Sequence, residues 1–430
     1  MKYLPIDSAL FIENRQRLTR LLKPNSLVIL NSNDIMPTNA DGTMRFVQNS
    51  DLFYLTGIDQ EESILLLFPD FPDENFREIL LLRETNEEIA IWEGHKYTKE
   101  EATQTSGIEK VVWLSQFDRI LSLLMSQADH VYLNTNERLR GESIVQTRDA
   151  RFIQWCQDRY PLHQYERVAP LLYHLRAVKS TPEIDLLQKA CNITEQGFRR
   201  VLSFVESGVM EYEIEAEYLH EFVRNRSRGF AYEPIVASGA NACVLHYIDN
   251  NQPCQSGDLI LMDVGAEYAN YNADMTRTIP ANGRFTDRQK AVYNAVLRVM
   301  KEAIQLLQPG QVMREYHQEV SKIMESELIG LGLLSREEVS KQDERHPLYK
   351  KYYMHGTSHH LGLDVHDVGN VYRTFEPGMV FTVEPGIYIR EEKLGIRLEN
   401  NFVIQKNGIL DLMQNIPIEI DEIETLMHEK

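Results

Sequence analysis

The sequence predicts an α/β domain over residues 1–176 followed by an α+β domain over residues 177–430 that is built twice over. Three observations carry this. At 430 residues the chain is long for one domain. Its first part alternates short apolar runs with amphipathic stretches, as an α/β unit does. Its second part repeats one pattern: Gly257-Asp-Leu-Ile-Leu-Met-Asp263-Val-Gly265 and Gly378-Met-Val-Phe-Thr-Val-Glu384-Pro-Gly386. In each copy a glycine opens a mostly apolar strand that ends on a carboxylate, with a second glycine two residues later.

In the first domain, apolar runs predict strands over Ser26–Ser32, Ser63–Phe68, Glu78–Leu82 and Val131–Asn134. Helical periodicity marks Ser8–Leu22, Leu114–Ser126 and Glu142–Asp158. The order of the strands in the sheet is not readable from sequence. The boundary falls near Arg176, where Thr181 can N-cap a helix, Pro182 suits its first position and Glu183 complements its dipole. That helix carries Ile184, Leu187, Cys191 and Phe198 on roughly one face, Gly208 closes the connection, and Glu211–Arg226 completes a helix pair. A second pair follows, from Thr286 to Gln308 and from Arg314 to Gly330, with Pro309-Gly310 between.

Each acidic strand is followed by another with its own carboxylate. Asp274 stands eleven residues after Asp263, and Glu399 fifteen after Glu384, spacings that suit antiparallel hairpins. Asp263 ends the run LILM and Glu384 ends MVFTV, where an unpaired ionised carboxylate is costly to bury. Four such groups brought together push one another's pKa upward unless a cation compensates. A pair of divalent ions solves this, and oxygen-rich ligation without cysteine suits Mn²⁺, Mg²⁺, or a Zn²⁺ or Co²⁺ site. Imidazoles are supplied by HGTSHHLGLDVHDVG, which holds His355, His359, His360 and His366 out of 13 histidines in the chain. His246, in ASGANACVLHYIDN, is a further candidate, whereas Tyr388 reads as a packed strand residue.

Composition excludes several other classes. With 43% hydrophobic and 25% charged residues the chain is an ordinary globular protein. Its 45 basic against 64 acidic residues, a formal charge of −19, repel phosphate backbones and anionic lipid, so neither nucleic acid nor membrane is an expected partner. Cys156, Cys191, Cys243 and Cys254 lack C-x-x-C spacing and are expected as buried thiols. The N-terminus has no secretory apolar region and no run approaches a membrane span, which makes the cytoplasm the expected location. HEFVR at His220 lacks the second histidine of a zincin helix, and GLGLLS at Gly330 lacks the third glycine of a dinucleotide loop. GTSHH at Gly356 lacks the closing glycine of a nucleophile elbow.

The ordered series Asp263 in MDVG, Asp274 in NADMTRT, His359 in HGTSHHLG, Glu384 in TVEPGIY and Glu399 in GIRLEN resembles the metal-dependent pita-bread peptidases. Within them the chain is most similar to the Xaa-Pro aminopeptidases (aminopeptidase P). RFVQNSDLFYLTG (Arg45–Gly57) and Ile91-Trp92 extend the likeness into the first domain. The resemblance implies that Asp263 and Asp274 bind one metal and His359 and Glu384 the other, with Asp274 and Glu399 bridging, usually with two Mn²⁺. It implies that a hydroxide between the metals attacks the carbonyl preceding proline, with Glu384 moving the proton. His246, His355 and His366 would hold the substrate and polarise that carbonyl; Arg397 would act with them or serve as a charge partner of the ligands.

The expected substrates are peptides with proline at the second position. The first domain would shape the pocket and build a homodimer or homotetramer. Asn400 and His360 depart from the family pattern, which commonly has an acid and an aromatic there. Prolidase, a dipeptidase of the same fold with the same five ligands, is the alternative reading, and a non-catalytic peptide-binding relative is a remote third.

Overall fold

The computed structural model describes residues 2–138, 141 and 143–429. They form two compact units, Pro5–Arg176 and Ala177 onward, the latter including the first few residues.

The first unit is a six-stranded mixed sheet. Its strands are β1 (Ser26–Asn31), β2 (Ile64–Leu67), β3 (Glu78–Leu82), β4 (Lys110–Trp113), β5 (His130–Leu133) and β6 (Gln164–Arg167), in the order β4-β3-β2-β1-β5-β6. β2 runs antiparallel to both neighbours, and the outer pairs are parallel. Seven helices connect them: α1 (Ala9–Thr19), α2 (Ser50–Thr56), α3 (Glu87–Glu93), α4 (Lys99–Ser106), α5 (Phe117–Met125), α6 (Arg148–Arg159) and α7 (Ala169–Ala177). All six residues of β1 are buried, as a central strand covered on both faces requires. On one face Leu27, Ile29, Leu66, Leu81 and Val131 pack with Ile120, Leu121 and Leu124 of α5 and Cys156 of α6. Arg15 is almost completely buried in α1, where Nη1 donates to Leu55 O and Ser106 O at the ends of α2 and α4. One guanidinium thereby satisfies two helix C-termini.

The expected strands all appear: Glu78–Leu82 with the expected bounds, Ser26–Ser32 and Ser63–Phe68 trimmed by one and two residues, and Val131–Asn134 shifted by one; β4 and β6, at the sheet edges, escape the sequence pattern. The helix expected over Glu142–Asp158 begins at Arg148, where the Thr147 hydroxyl accepts from Ala150 N; Glu142 lies outside the described residues.

The second unit opens with α8 (Thr181–Phe204) and α9 (Glu211–Arg224), which pack together where Gly197 meets Tyr218 and Phe222. A Cβ at Gly197 would come within 2.7 Å of the Tyr218 ring. Ser180, not Thr181, is the N-cap of α8: the Glu183 carboxylate three residues on accepts from both Ser180 N and Oγ at 2.8 Å. Then come β7 (Ile235–Ser238), β8 (Leu259–Val264), β9 (Glu267–Tyr268), β10 (Tyr271–Asn272), β11 (Met275–Pro280), α10 (Asp287–Leu306), α11 (Met313–Gly330) and α12 (Arg336–Ser340). The chain ends with β12 (Val380–Val383), β13 (Gly386–Ile389), β14 (Leu394–Arg397), β15 (Asn400–Ile404), β16 (Ile409–Asp411) and α13 (Ile420–His428).

The two copies share a nested plan. β8 pairs antiparallel with β11 around the inner pair β9–β10, and β12 pairs with β15 around β13–β14. The second carboxylate strand therefore does not pair with the strand directly after it. The His-rich segment runs beside β12, through Thr382 N to His359 O and Glu384 N to Thr357 O. This duplicated, nested plan is the expected pita-bread architecture, and it follows the α/β domain in the chain. Among the described residues, no helix is long and apolar enough to cross a membrane.

Candidate metal centre

The nesting decides where the carboxylates emerge. Asp263 sits near the end of β8, Asp274 just before β11, Glu384 just after β12 and Glu399 just before β15. Asn401 holds Asp274 by its backbone, donating from Nδ2 to Asp274 O (2.6 Å) while its Oδ1 accepts from Asp274 N (3.1 Å). Glu399 is tied to the first copy by its own N–H to Thr276 O (3.0 Å) and by the Thr276 hydroxyl, which donates to Oε2 (2.7 Å).

Asp274, His359 and Glu399 form a group whose ligand atoms all lie within 4.8 Å of one another. His359 Nε2 stands 3.3 Å from Asp274 Oδ2 and 3.6 Å from Glu384 Oε1, while its Nδ1 is 3.0 Å from His360 O. A proton on Nδ1 donated to that carbonyl leaves Nε2 as a lone pair facing the carboxylates, the tautomer a metal needs.

Asp263 joins through a residue that no sequence pattern marks. The Tyr232 hydroxyl lies 2.6 Å from both Asp263 Oδ1 and Asp274 Oδ1. It has one proton and cannot donate to both. Two carboxylates held that way call for a shared proton or a cation between them. Burial and the neighbouring carboxylates raise the Glu384 pKa to about 7, and burial with Asp274, Glu384 and Asp263 lifts Glu399 well above its usual value. Burial opposes charge on His359, but Asp274 and Glu384 outweigh it and raise its pKa. A hard, oxygen- and imidazole-rich donor set crowded with negative charge fits divalent metal.

A second missed residue is Tyr388. It is packed in β13, as its sequence suggests, but its hydroxyl also lies 2.8 Å from His355 Nε2 and accepts from Arg397 Nη1 at 2.8 Å. Arg397 in turn donates through Nη2 to Asp263 Oδ2 (2.5 Å) and through Nε to Thr276 Oγ1 (3.1 Å). The buried guanidinium thus contacts one carboxylate directly and Glu399 through Thr276. Burial, then the charge of Arg397, lowers the His355 pKa to about 3, so this imidazole is neutral at physiological pH.

The remaining histidines occupy distinct places. The His366 ring packs edge-on against His359 with centroids 4.2 Å apart. His246 is exposed on the loop after β7, near enough to His355 to add to the lowering of its pKa. His360 turns away and lies against Phe381 at 4.4 Å, filling the aromatic role expected at that position. Asn400 Oδ1 accepts from Arg277 and its Nδ2 donates to Asp411, so an amide links that buried cation to a carboxylate.

Residues 185–406 match metallopeptidase family M24, and residues 11–132 match the aminopeptidase P N-terminal domain. The Xaa-Pro aminopeptidase of Haemophilus influenzae is 35% identical over 430 residues, covering 97% of each chain. The structure of a putative aminopeptidase P from Bacillus anthracis is similar with a TM-score of 0.91 at 36% identity, covering 99% of each chain. A zinc-substituted Escherichia coli aminopeptidase P in complex with product has a TM-score of 0.86 at 33% identity and the same coverage. The chain belongs to the Xaa-Pro aminopeptidase branch of metallopeptidase family M24 and is a peptidase.

Proposed function

We propose that this enzyme removes the N-terminal residue from peptides with proline at the second position, using two divalent ions held by Asp263, Asp274, His359, Glu384 and Glu399. Asp274 and Glu399 would be the ligands shared by the pair, Mn²⁺ is the expected metal, and Zn²⁺ or Co²⁺ suits the same donors. The observation that carries this reading is the convergence of Asp274, His359 and Glu399, with Tyr232 tying Asp263 to the same group. When bound, the ion pair supplies hydroxide at neutral pH and Lewis-acid polarisation of the scissile carbonyl.

The chain's own residues do the rest. Glu384, which stands 3.6 Å from His359 Nε2, takes a proton from the attacking water and delivers it to the departing proline nitrogen. Arg397 donates to Asp263 and orients its carboxylate. His246 and His366 meet the carbonyl oxygen or the proline end, and neutral His355 closes the pocket. The X-Pro amide lacks an N–H, so a protease that grips that hydrogen loses its contact and a dedicated site is needed. The first domain builds a homo-oligomer, a role supported by Ile91 and Trp92, about 80% exposed on α3.

The test is Mn²⁺-dependent release of the first residue from an Xaa-Pro-Yaa tripeptide, beside an Xaa-Pro dipeptide and an Xaa-Ala-Yaa control. Preferred cleavage of the tripeptide, blocked by chelator, is expected. Preference for the dipeptide would make the enzyme a prolidase. Silence on every substrate would leave a peptide-binding protein.

A further inference from the structure

Glu211, the first residue of α9, has no solvent exposure and no cationic partner among the contacts described. A carboxylate is buried this way only when donors saturate it. Oε1 accepts from Ser238 N and Ser238 Oγ, both at 2.7 Å, and from Asn241 Nδ2 at 3.3 Å. Oε2 accepts from the Tyr247 hydroxyl at 2.7 Å and from Gln252 N at 2.9 Å. One oxygen therefore grips where the loop after β7 begins, and the other grips where it returns. His246 lies between, next to Tyr247.

The loop is rigid on its inner side. Gly395 of β14 lies so close to Ala242 O that a Cβ there would come within 2.2 Å. Ala242, Cys243 and Tyr247 share an apolar cluster with Tyr388, the residue that contacts His355. A separate anchor exists at Asn250, whose side chain accepts from Val236 N and donates to Pro234 O.

We propose that Glu211 is a positioning residue for His246, its carboxylate clamping both ends of the loop and so fixing where that imidazole stands. This rests on the reading of His246 as substrate-facing. A neutral amide cannot replace the carboxylate, because its NH₂ would confront one of the two sets of donors. Asn250 keeps the loop attached, so Glu211→Gln should fold with the imidazole released rather than the strand lost.

The experiment compares Glu211→Gln, His246→Ala and the double variant in the full chain. It reads Mn²⁺ stoichiometry, kcat/KM on an Xaa-Pro-Yaa tripeptide, and the ¹³C-labelled histidine resonances of the metal-free protein, with His246 assigned by its loss in His246→Ala. Glu211→Gln should keep its metal, lose about 10- to 100-fold in kcat/KM as a displaced substrate contact does, and broaden or shift the His246 resonance. The double variant should be no worse than His246→Ala alone. Multiplying losses in the double variant, or an unchanged His246 resonance in Glu211→Gln, would overturn the proposal. If Glu211→Gln fails to fold, Tyr247→Phe removes one of the two donors to Oε2 at the returning end, with Gln252 N kept, and must both lower kcat/KM with metal retained and move the same resonance; the absence of either change overturns the proposal. A wild type inactive on every Xaa-Pro peptide would defeat the functional reading instead, and the resonance alone then decides the role of Glu211.

Discussion

Lys179 and Asp367 form an ion pair of 2.8 Å in which each side chain is 1% exposed. Gly362 makes room for it, since a Cβ there would fall 2.2 Å from Asp367 Oδ2 and 2.9 Å from Lys179 Cε. The pair pins the His-rich segment, one residue from His366, to the chain entering the second unit. At an effective dielectric constant of about 20, attraction at this separation is roughly 6 kcal/mol. Desolvation of both ions offsets most of it. Removing one partner leaves a buried charge uncompensated, so Lys179→Met alone or Asp367→Asn alone should cost about 3–5 kcal/mol, the lysine variant more. For a unit of this size that lowers Tm by roughly 6–20 °C. The double variant should recover most of the loss, because two neutral side chains owe no desolvation. The assay is denaturant unfolding of all four proteins, with amide exchange localising the change to the second unit. Additive single effects, with no recovery in the double variant, would refute the coupling.

Asp149, in the first turn of α6, accepts from Asn31 Nδ2, while Asn31 Oδ1 is buried without a hydrogen-bond partner. Burial raises the Asp149 pKa to about 7, so the folded state keeps a proton the unfolded state releases, and this group's contribution to stability falls as pH rises from about 4 to about 7. Residual solvent contact at Asp149 cuts the full cost to about 2 kcal/mol. Asp149→Asn should therefore match wild type near pH 4 and exceed it by that amount at pH 8, read by exchange of the β1 amides; parallel pH profiles would contradict this. Glu399→Ala should lose cleavage and bind at most one Mn²⁺ by elemental analysis, with exchange in the first unit unchanged; an active variant with two metals would remove the bridging assignment. Tyr388→Phe should keep both metals yet lower kcat about tenfold or more, by freeing His355 and one arm of Arg397; loss of metal instead would make Tyr388 a support of the ligands.

Asp263 and Glu384 were legible because each breaks an apolar run where nothing local explains a charge, and Asp274 and Glu399 because each follows one of them at a hairpin's spacing. The repeat of that break, at Asp263 and again at Glu384, exposed the duplication. Tyr232 and Tyr388 were not legible. Tyr388 in a buried strand reads as core and Tyr232 as a loop residue ahead of β7, and the partners of their hydroxyls lie 31 and 42 residues away for Tyr232, 33 and 9 for Tyr388. Glu211 escaped for the same reason, since an acidic residue opening a helix already has a local explanation in the dipole. The pairing of β12 with β15 instead of β13 was hidden because the spacing between Glu384 and Glu399 fits a simple hairpin as well as a nested one. β6, with the sequence QYER, carries no alternation at all and is a strand only because β5 lies beside it. Ser180 and Thr181 are both competent caps, and the reach of Glu183 back to Ser180 decides between them.

The nested hairpins also bear on how the enzyme is made. Each copy contributes only part of the proposed donor set, Asp263 and Asp274 from the first and His359, Glu384 and Glu399 from the second. On that ligand set, a fragment holding the first copy alone would offer two acids without the His359 imidazole, so tight metal binding would require both nested hairpins to be present and closed, and folding of the second unit would be coupled to metal capture.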